Sequence, residues 1–267
     1  MNLEYITRQL CEITQRAGAF IRQEAANFDH QSIEYKDVNN LVSYVDKETE
    51  KMLVADLREL LPQAGFITEE GTTAEMAQGE NPEKLFWVID PLDGTTNFVH
   101  GLPVYCVSVG LIQHKTPIAG VVYHVPNDET YCAWQGGGAF CNWKKISVSS
   151  VNTLDKSLLA TGFPYYKFEN QDKYLQILEE LMKRTHGLRR MGAAAIDLAY
   201  VAAGKFEGFY EYNLNSWDMA AGIILVREAG GTVTDFAGGD DFLFGGDVVA
   251  ASNVHPQLLA VIQEYWH

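Results

Sequence analysis

The sequence predicts a layered α/β or α+β fold, in which helices pack on β-sheets. Three observations favour this fold class. Near the N-terminus, Ile6, Leu10 and Ile13 recur at the spacing of one helix face. Between residues 105 and 134, apolar runs separated by short turns predict an antiparallel meander. Beyond residues 145–155, predicted strands alternate with predicted helices.

The composition is that of a globular chain with a sizeable core. Its 267 residues are 47% hydrophobic and 12% aromatic. We expect a single domain over residues 1–267, with an N-terminal α+β half over about 1–145 and a C-terminal α/β half over about 146–267. No apolar run approaches the length of a membrane span, so no membrane insertion is expected.

Charge and cysteine content narrow the classes of function. The net charge of −15 argues against a nucleic-acid binder and agrees with a site that needs cations. For most of the 35 Asp and Glu residues, the alternative is that acidity serves solubility. Four cysteines without a Cys-x-x-Cys pair, and no recognisable signal peptide, predict reduced thiols in a cytoplasmic protein. The seven scattered histidines lack the paired spacing of zinc sites.

Apolar spacing and turn residues define the elements of the N-terminal half. They are an amphipathic helix over residues 3–28, a mobile loop over 36–40, a helix over 46–61 and a strand over 65–68. Pro62 ends the second helix. The strand ends at Glu69 and Glu70, before a polar stretch over 71–82. These two carboxylates suit either a functional strand end or the solvated start of a loop.

The segment WVIDPLDGTTNF, residues 87–98, is the most informative part of the chain. A buried strand over 85–89 leads into Asp90, and Pro91 is expected to stop the strand there because proline cannot continue a sheet ladder. Asp93 follows three residues later. Two carboxylates on one turn suit Mg²⁺, which prefers a few carboxylates together with water and substrate phosphate.

The residues after Asp93 favour an anion beside that cation. Gly94 lets the backbone pass close to a ligand, and Thr95 or Thr96 is a suitable N-cap for a short helix. Free amides at a helix start bind phosphate. The alternative is an ordinary acidic turn, and the spacing excludes an EF-hand loop.

The remaining chain is predicted to contain short strands followed by an alternation of strands and helices. The predicted strands are 107–112, 118–123, 130–134, 157–161, 208–212 and 248–251, and the predicted helices are 170–183, 193–203, 217–228 and a last one after Pro256. Asp218 lies at the start of a mostly apolar helix. Its position suits either a functional carboxylate or a favourable charge on the helix dipole.

The motifs together resemble the inositol monophosphatase family over essentially the full length. They are Glu69-Glu70, the segment 87–98, the segment WDMAAG over 217–222, and EAGG over 228–231. The resemblance implies a stacked α-β-α-β-α sandwich and a single catalytic domain. It further implies Mg²⁺-dependent hydrolysis of phosphate monoesters with two or three Mg²⁺ per site, sensitivity to Li⁺, and a homodimer.

Carried over position by position, the resemblance implies three sets of site residues. The metal ligands would be Glu69, Asp90, the carbonyl of Leu92, Asp93 and Asp218, with a third, weaker Mg²⁺ near Glu69 and Glu70. The catalytic residues would be Asp46, Thr95 and Glu69, with Thr95 and Asp46 orienting the attacking water. The substrate contacts would be Leu92, Asp93, Gly94, Thr95, Gly192, Ala193, Ala194, Glu211 and Asp218.

Departures from the family pattern bear on the substrate. Ala193 replaces the usual Ser or Thr, Asn40 replaces a common Asp, and Thr68 replaces a small residue. Glu211 can accept hydrogen bonds from a polyol and favours myo-inositol monophosphate. Arg190, next to Arg189, could instead serve a more highly charged substrate, or could simply close a salt bridge.

Several alternatives to myo-inositol monophosphate therefore stay open. They are histidinol phosphate, fructose 1,6-bisphosphate, adenosine 3′,5′-bisphosphate and a phosphatidylinositol phosphate headgroup. From a different class, the chain could be a non-catalytic interaction protein of the transcription machinery.

Overall fold

A computed structural model describes residues 1–27, 34–37, 40–42, 44–72, 85–163 and 169–266, with 34–37 and 40–42 described as backbone only. The helices are α1 Leu3–Ala25, α2 Tyr44–Leu60, α3 Thr95–Val99, α4 Gln171–Arg184, α5 Ala194–Ala202, α6 Ser216–Glu228, α7 Phe242–Gly245 and α8 His255–Trp266. The strands are β1 Glu34–Asp37, β2 Asn40–Val42, β3 Gly65–Thr68, β4 Leu85–Asp93, β5 Cys106–Gln113, β6 Thr116–His124, β7 Glu129–Trp134, β8 Gly138–Cys141, β9 Lys144–Ile146, β10 Leu158–Thr161, β11 Gly187–Arg189, β12 Gly208–Glu211, β13 Thr232–Thr234 and β14 Val248–Ala251.

The described strands form two large sheets and one hairpin. The first large sheet has seven strands in the order β3-β4-β5-β6-β7-β8-β9, and only its β3–β4 pair is parallel. The second has five strands in the order β11-β10-β12-β14-β13, with β10 parallel to both of its neighbours. Strands β1 and β2 pair as a separate antiparallel hairpin.

Three hydrophobic clusters show how the layers stack. One cluster joins α1 and α2 to the seven-stranded sheet. Another joins the opposite face of that sheet to α5 and α6, and these helices to the five-stranded sheet. The last joins the five-stranded sheet to α4 and α8. The layers therefore follow the order α-β-α-β-α, which confirms the predicted fold.

Two glycines let helix α6 lie close against the seven-stranded sheet. A Cβ atom at Gly110 would lie 2.8 Å from the Cβ of Ala220, and one at Gly120 would lie 2.7 Å from the Cα of Ala221. Larger residues on β5 and β6 would therefore push α6 away. The close approach brings the N-terminal turn of α6, which carries Asp218, towards the end of β4.

Several predicted elements are confirmed, with boundaries that differ by a few residues. Helix α1 ends at Ala25, and residue 28, the predicted end, lies outside the described residues. The predicted meander corresponds to β5, β6 and β7. The predicted helices of the second half correspond to α4, α5, α6 and α8. Of the polar stretch predicted over 71–82, only residues 71 and 72 are described.

Other elements were predicted wrongly or missed. The loop predicted over 36–40 is wrong at residues 36, 37 and 40, which belong to the β1–β2 hairpin, while 38 and 39 lie outside the described residues. The short elements β8, β9, β11, β13 and α7 were not predicted, because three or four residues carry too little periodicity. Among the described residues, no helix combines the length and apolar character needed to span a bilayer.

Candidate active site

Most of the predicted site residues line one cavity of about 160 Å³ between the two large sheets. This volume is below the about 300–1,000 Å³ of pockets for drug-sized ligands, so it suits a smaller molecule. The predicted residues that line it are Glu69, Asp90, Leu92, Asp93, Gly94, Thr95, Gly192, Ala193, Ala194, Glu211 and Asp218. Asp46 does not line the cavity but is hydrogen-bonded to Thr95. The structure therefore brings the predicted set together.

Strand β4 does not stop at Asp90, so that sequence prediction is wrong. The strand runs to Asp93, and its pairing with β5 is irregular between Asp90 and Asp93. Pro91 is tolerated because this irregularity takes it out of the ladder, where no N–H group is needed. The Leu92 N–H group donates to Asp90 Oδ1 at 3.0 Å instead of to the neighbouring strand. The irregularity therefore presents both carboxylates at one place.

Asp93 is anchored to the start of helix α5. The backbone N–H group of Ala195 donates to its Oδ2 atom at 2.8 Å, and the Cys106 thiol lies 3.7 Å from the same oxygen. On the facing helix α6, Asp218 accepts a hydrogen bond of 2.7 Å from the backbone N–H group of Asn215. Both carboxylates thus lie at helix N-termini, where negative charge is favoured.

The carboxylates around the cavity raise one another's pKa. Burial, followed by the charges of Glu69, Asp93 and Asp218, raises the pKa of Asp90 well above its ordinary value. Burial and the charge of Asp218 raise the pKa of Asp93 to about 7. Burial raises the pKa of Asp218 to about 6. Such a cluster is costly when ionised, and a bound cation would relieve the repulsion.

The donor chemistry of this cluster fits a hard divalent cation. Carboxylate oxygens and a main-chain carbonyl are the ligands that Mg²⁺ prefers. As the side chains stand, no three His, Cys, Asp or Glu residues of the described ranges are arranged around a single ion position. A cation would therefore have to draw these carboxylates closer together. The metal-ligand roles of Glu69, Asp90, Leu92, Asp93 and Asp218 remain predictions.

Thr95 and Asp46 form a hydrogen-bonded pair at the edge of the cavity. The Thr95 hydroxyl lies 2.9 Å from Asp46 Oδ1 and 3.0 Å from the Leu92 carbonyl oxygen. Asp46 is buried on helix α2 and cannot reach solvent. Because both neighbours of the hydroxyl are acceptors, its proton points towards one of them. A lone pair of the Thr95 oxygen is then free to accept a hydrogen bond from a molecule in the cavity.

The N-cap of helix α3 is Gly94, so the prediction of Thr95 or Thr96 as N-cap is wrong. Gly94 has φ 93°, in the left-handed region that glycine tolerates. A Cβ atom there would lie 2.8 Å from the Val104 carbonyl oxygen, so the turn needs glycine for space as well. Thr95 is then the first helical residue, and its hydroxyl is left to pair with Asp46. Gly94 and Thr95 both line the cavity.

Glu211 and the start of helix α5 form another wall of the cavity. Glu211 ends strand β12 with 8% of its surface exposed, and burial raises its pKa to about 8 although the Arg190 charge lowers it. A Cβ atom at Gly162 would lie 2.0 Å from the Glu211 carboxylate, so the carboxylate sits directly against this glycine. Ala193 is the N-cap of α5, and its methyl group cannot accept a hydrogen bond from the first turn of the helix.

Asp197 is a site residue that the sequence analysis missed. It lines the cavity from helix α5 with 1% of its surface exposed, and among the described residues its Oδ1 atom has no hydrogen-bond partner. Burial, with the charges of Glu211 and Asp93, raises its pKa well above the ordinary value. An acidic residue inside the apolar run AAAIDLA was the signal that could have identified it.

A model of the inositol monophosphatase family matches residues 2–267. The chain belongs to this family. It is 42% identical over 252 residues to a protein of Neisseria meningitidis serogroup B named "Putative Nus factor SuhB", covering 94% of this chain and 95% of that protein. It is 38% identical over 245 residues to an "Inositol-1-monophosphatase" of Mesorhizobium japonicum, covering 92% of this chain and 91% of the relative.

Solved structures of the same family share this fold. The crystal structure of the extragenic suppressor protein suhB from Bartonella henselae has a TM-score of 0.89 and 36% identity, covering 97% of this chain and 99% of that one. The inositol monophosphatase of Anabaena has a TM-score of 0.88 and 33% identity, covering 99% and 98%. Because both kinds of name occur among these relatives, membership of the inositol monophosphatase family does not by itself fix the substrate.

Proposed function

We propose that the protein hydrolyses a phosphate monoester with the help of Mg²⁺, and that its substrate is myo-inositol monophosphate. One observation carries the reaction type: a buried carboxylate cluster lies beside a hydrogen-bonded Thr95–Asp46 pair and the start of a helix. This arrangement offers cation ligands, a position for water and an anion site in one small cavity. Membership of the inositol monophosphatase family supports the same reaction.

Two cations are proposed, and their ligands would come from the β3–β4 edge of the seven-stranded sheet and from helix α6. Glu69, Asp90 and the Leu92 carbonyl would hold one, while Asp90, Asp93 and Asp218 would hold the other. A third, weaker ion near Glu69 and Glu70 follows from the family resemblance. When bound, such ions supply charge neutralisation of the phosphate and lower the pKa of water. The mutual repulsion among these carboxylates supports the assignment, because it makes the site favourable for cations.

The chain itself would position the water and the phosphate. The Thr95 oxygen accepts a hydrogen bond from the attacking water, and the Asp46 carboxylate fixes the Thr95 hydroxyl in the orientation that permits this. The amides of Gly94 and Thr95 hold the phosphate oxygens at the start of helix α3. Catalysis of phosphate transfer depends mainly on such positioning and on stabilisation of charge.

Glu211 supports a polyol as the alcohol part of the substrate. Its buried carboxyl group faces the same cavity as the acidic turn and can exchange hydrogen bonds with hydroxyl groups. Gly192, Ala193 and Ala194 line the cavity nearby and would contact the ring. Arg190 also lines the cavity, and its positive charge lowers the pKa of Glu211.

The test is phosphate release from a panel of substrates, with Mg²⁺ and with or without Li⁺. The panel is inositol 1-phosphate, glycerol 2-phosphate, histidinol phosphate, fructose 1,6-bisphosphate and adenosine 3′,5′-bisphosphate. We expect a preference for inositol 1-phosphate and inhibition by Li⁺. Preference for another member would keep the reaction and replace the substrate. The absence of Mg²⁺-dependent release from every member would contradict the proposed reaction.

A second candidate function is favoured by the names of some relatives. The relatives from Neisseria meningitidis and Pseudomonas aeruginosa, each 42% identical, are named as Nus factors. We propose that this chain acts as an interaction protein of the transcription machinery as well as an enzyme. The test is binding of purified transcription complexes to the protein and to its Asp90→Asn variant. Equal binding would support a separate function, and no binding by either would exclude it.

Three broader predictions belong to the same proposal. Because the cavity is lined by residues from 69–96 and from 161–218, we propose that the halves 1–145 and 146–267 form one catalytic domain. We also propose that the protein is a cytoplasmic homodimer, in line with the family resemblance. Light scattering coupled to size-exclusion chromatography tests the dimer, since a mass near 30 kDa instead of 60 kDa would contradict it.

A further inference from the structure

Glu50 is a buried carboxylate of helix α2 that lies outside the cavity. None of its surface is exposed. Three hydrogen bonds from described residues reach it, and all come from the segment 70–72: the Glu70 N–H group donates to Oε2 at 2.8 Å, and the Thr72 N–H and hydroxyl groups donate to Oε1 at 2.7 and 2.6 Å. Among the described residues, no lysine or arginine forms an ion pair with it.

Burial of the Glu50 carboxylate costs free energy of desolvation. A buried charge without a cationic partner loses its hydration, and hydrogen bonds replace only part of that loss. A neutral side chain could join helix α2 to the segment 70–72 at a lower cost in desolvation. The carboxylate form has one clear advantage, because both of its oxygens accept and it can hold several N–H and O–H groups at once.

The segment that Glu50 holds directly follows the proposed metal ligand Glu69. On its N-terminal side, the Glu69 N–H group donates to the Ile89 carbonyl oxygen at 3.3 Å, which continues the β3–β4 pairing. On its C-terminal side, Glu50 fixes the amides of residues 70 and 72. The backbone that carries Glu69 and Glu70 is thus tied at both ends, by the sheet and by helix α2.

Glu50 lies one helical turn beyond Asp46 on the same face of α2. Residues four apart in a helix are neighbours, separated by about 6 Å along the axis. Asp46 binds the hydroxyl of Thr95, and Glu50 binds the segment after Glu69. One rigid helix therefore sets the distance between two parts of the candidate site that are far apart in sequence.

We propose that Glu50 is a positioning residue for metal binding, which holds the backbone of Glu69 and Glu70 so that their carboxylates face the cation. The proposal rests on the Mg²⁺-dependent function proposed above. Glu50 touches neither the cavity nor the cation, so it acts only through the segment 70–72. Partners of this kind, which orient ligands without binding the ion, typically change metal affinity by about 10–100-fold when they are replaced.

The substitution Glu50→Gln tests the proposal with almost no change in side-chain volume. An amide offers one acceptor oxygen, and its NH₂ group then faces a backbone N–H of residue 70 or 72, whichever way it is turned. The matched control is Glu48→Gln on the exposed face of the same helix, where the carboxylate pairs with Lys51. A milder variant is Thr72→Val, which removes one hydroxyl donor and keeps both backbone donors.

Two readouts separate positioning from simple stabilisation. The first is direct binding of Mg²⁺ to each folded protein, measured by titration calorimetry without substrate. The second is the Mg²⁺ concentration that gives half-maximal phosphate release. For Glu50→Gln we expect both values to rise by about tenfold or more, with kcat at saturating Mg²⁺ within about threefold of the unchanged protein. Thr72→Val should show a smaller rise, and Glu48→Gln none.

The outcomes distinguish this proposal from the proposed function. If Glu50→Gln folds and binds Mg²⁺ as well as the unchanged protein does, the positioning role is wrong even when the enzyme is active. If Glu50→Gln does not fold, the folded Thr72→Val variant decides, and an unchanged Mg²⁺ affinity in that variant overturns the proposal. If the unchanged protein binds Mg²⁺ but releases no phosphate, the proposed reaction fails, while the calorimetric comparison still tests Glu50.

Discussion

The two walls of the cavity differ in how their carboxylates are held. On the wall formed by β4 and the start of α3, Asp90 and Asp93 accept hydrogen bonds from Leu92 and Ala195, and Thr95 is held by Asp46 of helix α2 behind this wall. On the wall formed by β12 and α5, Asp197 has an oxygen without a partner among the described residues, and Glu211 rests against a glycine. Hydrogen bonds within the protein hold the polar side chains of the first wall. On the second wall, the Asp197 oxygen can still accept a hydrogen bond from a ligand.

This difference predicts different roles for the two walls of the cavity. A reacting centre gains most from groups whose positions are set before the substrate arrives. A wall that recognises an alcohol needs buried polar groups that form hydrogen bonds with the correct substrate. A wrong substrate leaves those groups unpaired and therefore binds more weakly. Substitutions on the first wall should therefore reduce turnover, and those on the second should change substrate preference.

The largest effect is expected for Asp90→Asn on the first wall. Asp90 is the carboxylate proposed to contact both cations, and removing its charge should lower kcat by about 10³-fold or more. The protein should stay folded, because the substitution removes a charge that its neighbours oppose. Phosphate release and thermal unfolding measure the two effects. The control is Asp172→Asn, at an exposed position of helix α4. An Asp90→Asn variant within tenfold of full activity would contradict the metal assignment.

A somewhat smaller loss is expected when the Thr95–Asp46 pair is broken. Thr95→Val removes the hydroxyl while keeping the shape of the side chain, and it should lower kcat by about 10²–10⁴-fold with little change in KM. Thr95→Ser keeps the hydroxyl and should restore most of the activity. Mg²⁺ affinity should not change, which distinguishes this pair from the metal ligands. Equal activities of the Val and Ser variants would show that the hydroxyl does not position the water.

The residues of the first wall are easier to predict from the sequence than those of the second, for a physical reason. Residues 87–98 are contiguous, so strand, acidic turn and helix start could be recognised together. The second wall combines residues from β12 and α5, which only the packed layers bring together. Glu211 was found through the family resemblance, whereas Asp197 was overlooked because it lies inside an apolar helix.

Errors within the first wall also have local causes. Pro91 was expected to end strand β4, but an irregularity in the ladder accommodates it. Thr95 was expected to cap helix α3, but Gly94 adopts the left-handed conformation and takes that position. Glu50 was not considered, since its role depends on a turn twenty residues later in the chain. Patterns of residue type indicate elements well, but they do not show which backbone amides a buried carboxylate reaches.

On the second wall, Glu211→Gln should change specificity more than turnover. Replacing a buried carboxylate that binds hydroxyl groups leaves part of the hydrogen bonding unmet, which costs about 1–3 kcal/mol. We therefore expect kcat/KM for inositol 1-phosphate to fall by roughly tenfold or more, and that for glycerol 2-phosphate to fall much less. The control is Glu264→Gln, at an exposed position of helix α8. An equal loss for both substrates would remove Glu211 from substrate recognition.

The smallest expected effect is a pH dependence of stability that should separate the walls. Folding raises the pKa of Asp218 to about 6, that of Asp93 to about 7 and that of Glu211 to about 8, from about 4 in the unfolded chain. The folded state thus binds more protons than the unfolded state between about pH 4 and 8. Stability without metal is greatest at the acidic end of this window and falls as pH rises through these pKa values.

Mg²⁺ should cancel only part of this loss, because the cation would bind Asp93 and Asp218 but not Glu211. In chelator, the thermal midpoint should fall measurably as the pH rises from 5 to 8.5. Saturating Mg²⁺ should remove the fall up to about pH 7 and leave the part near pH 8, which Glu211→Gln should abolish. If Mg²⁺ removes the whole pH dependence, the second wall is coupled to the cations, and the division between the walls is wrong.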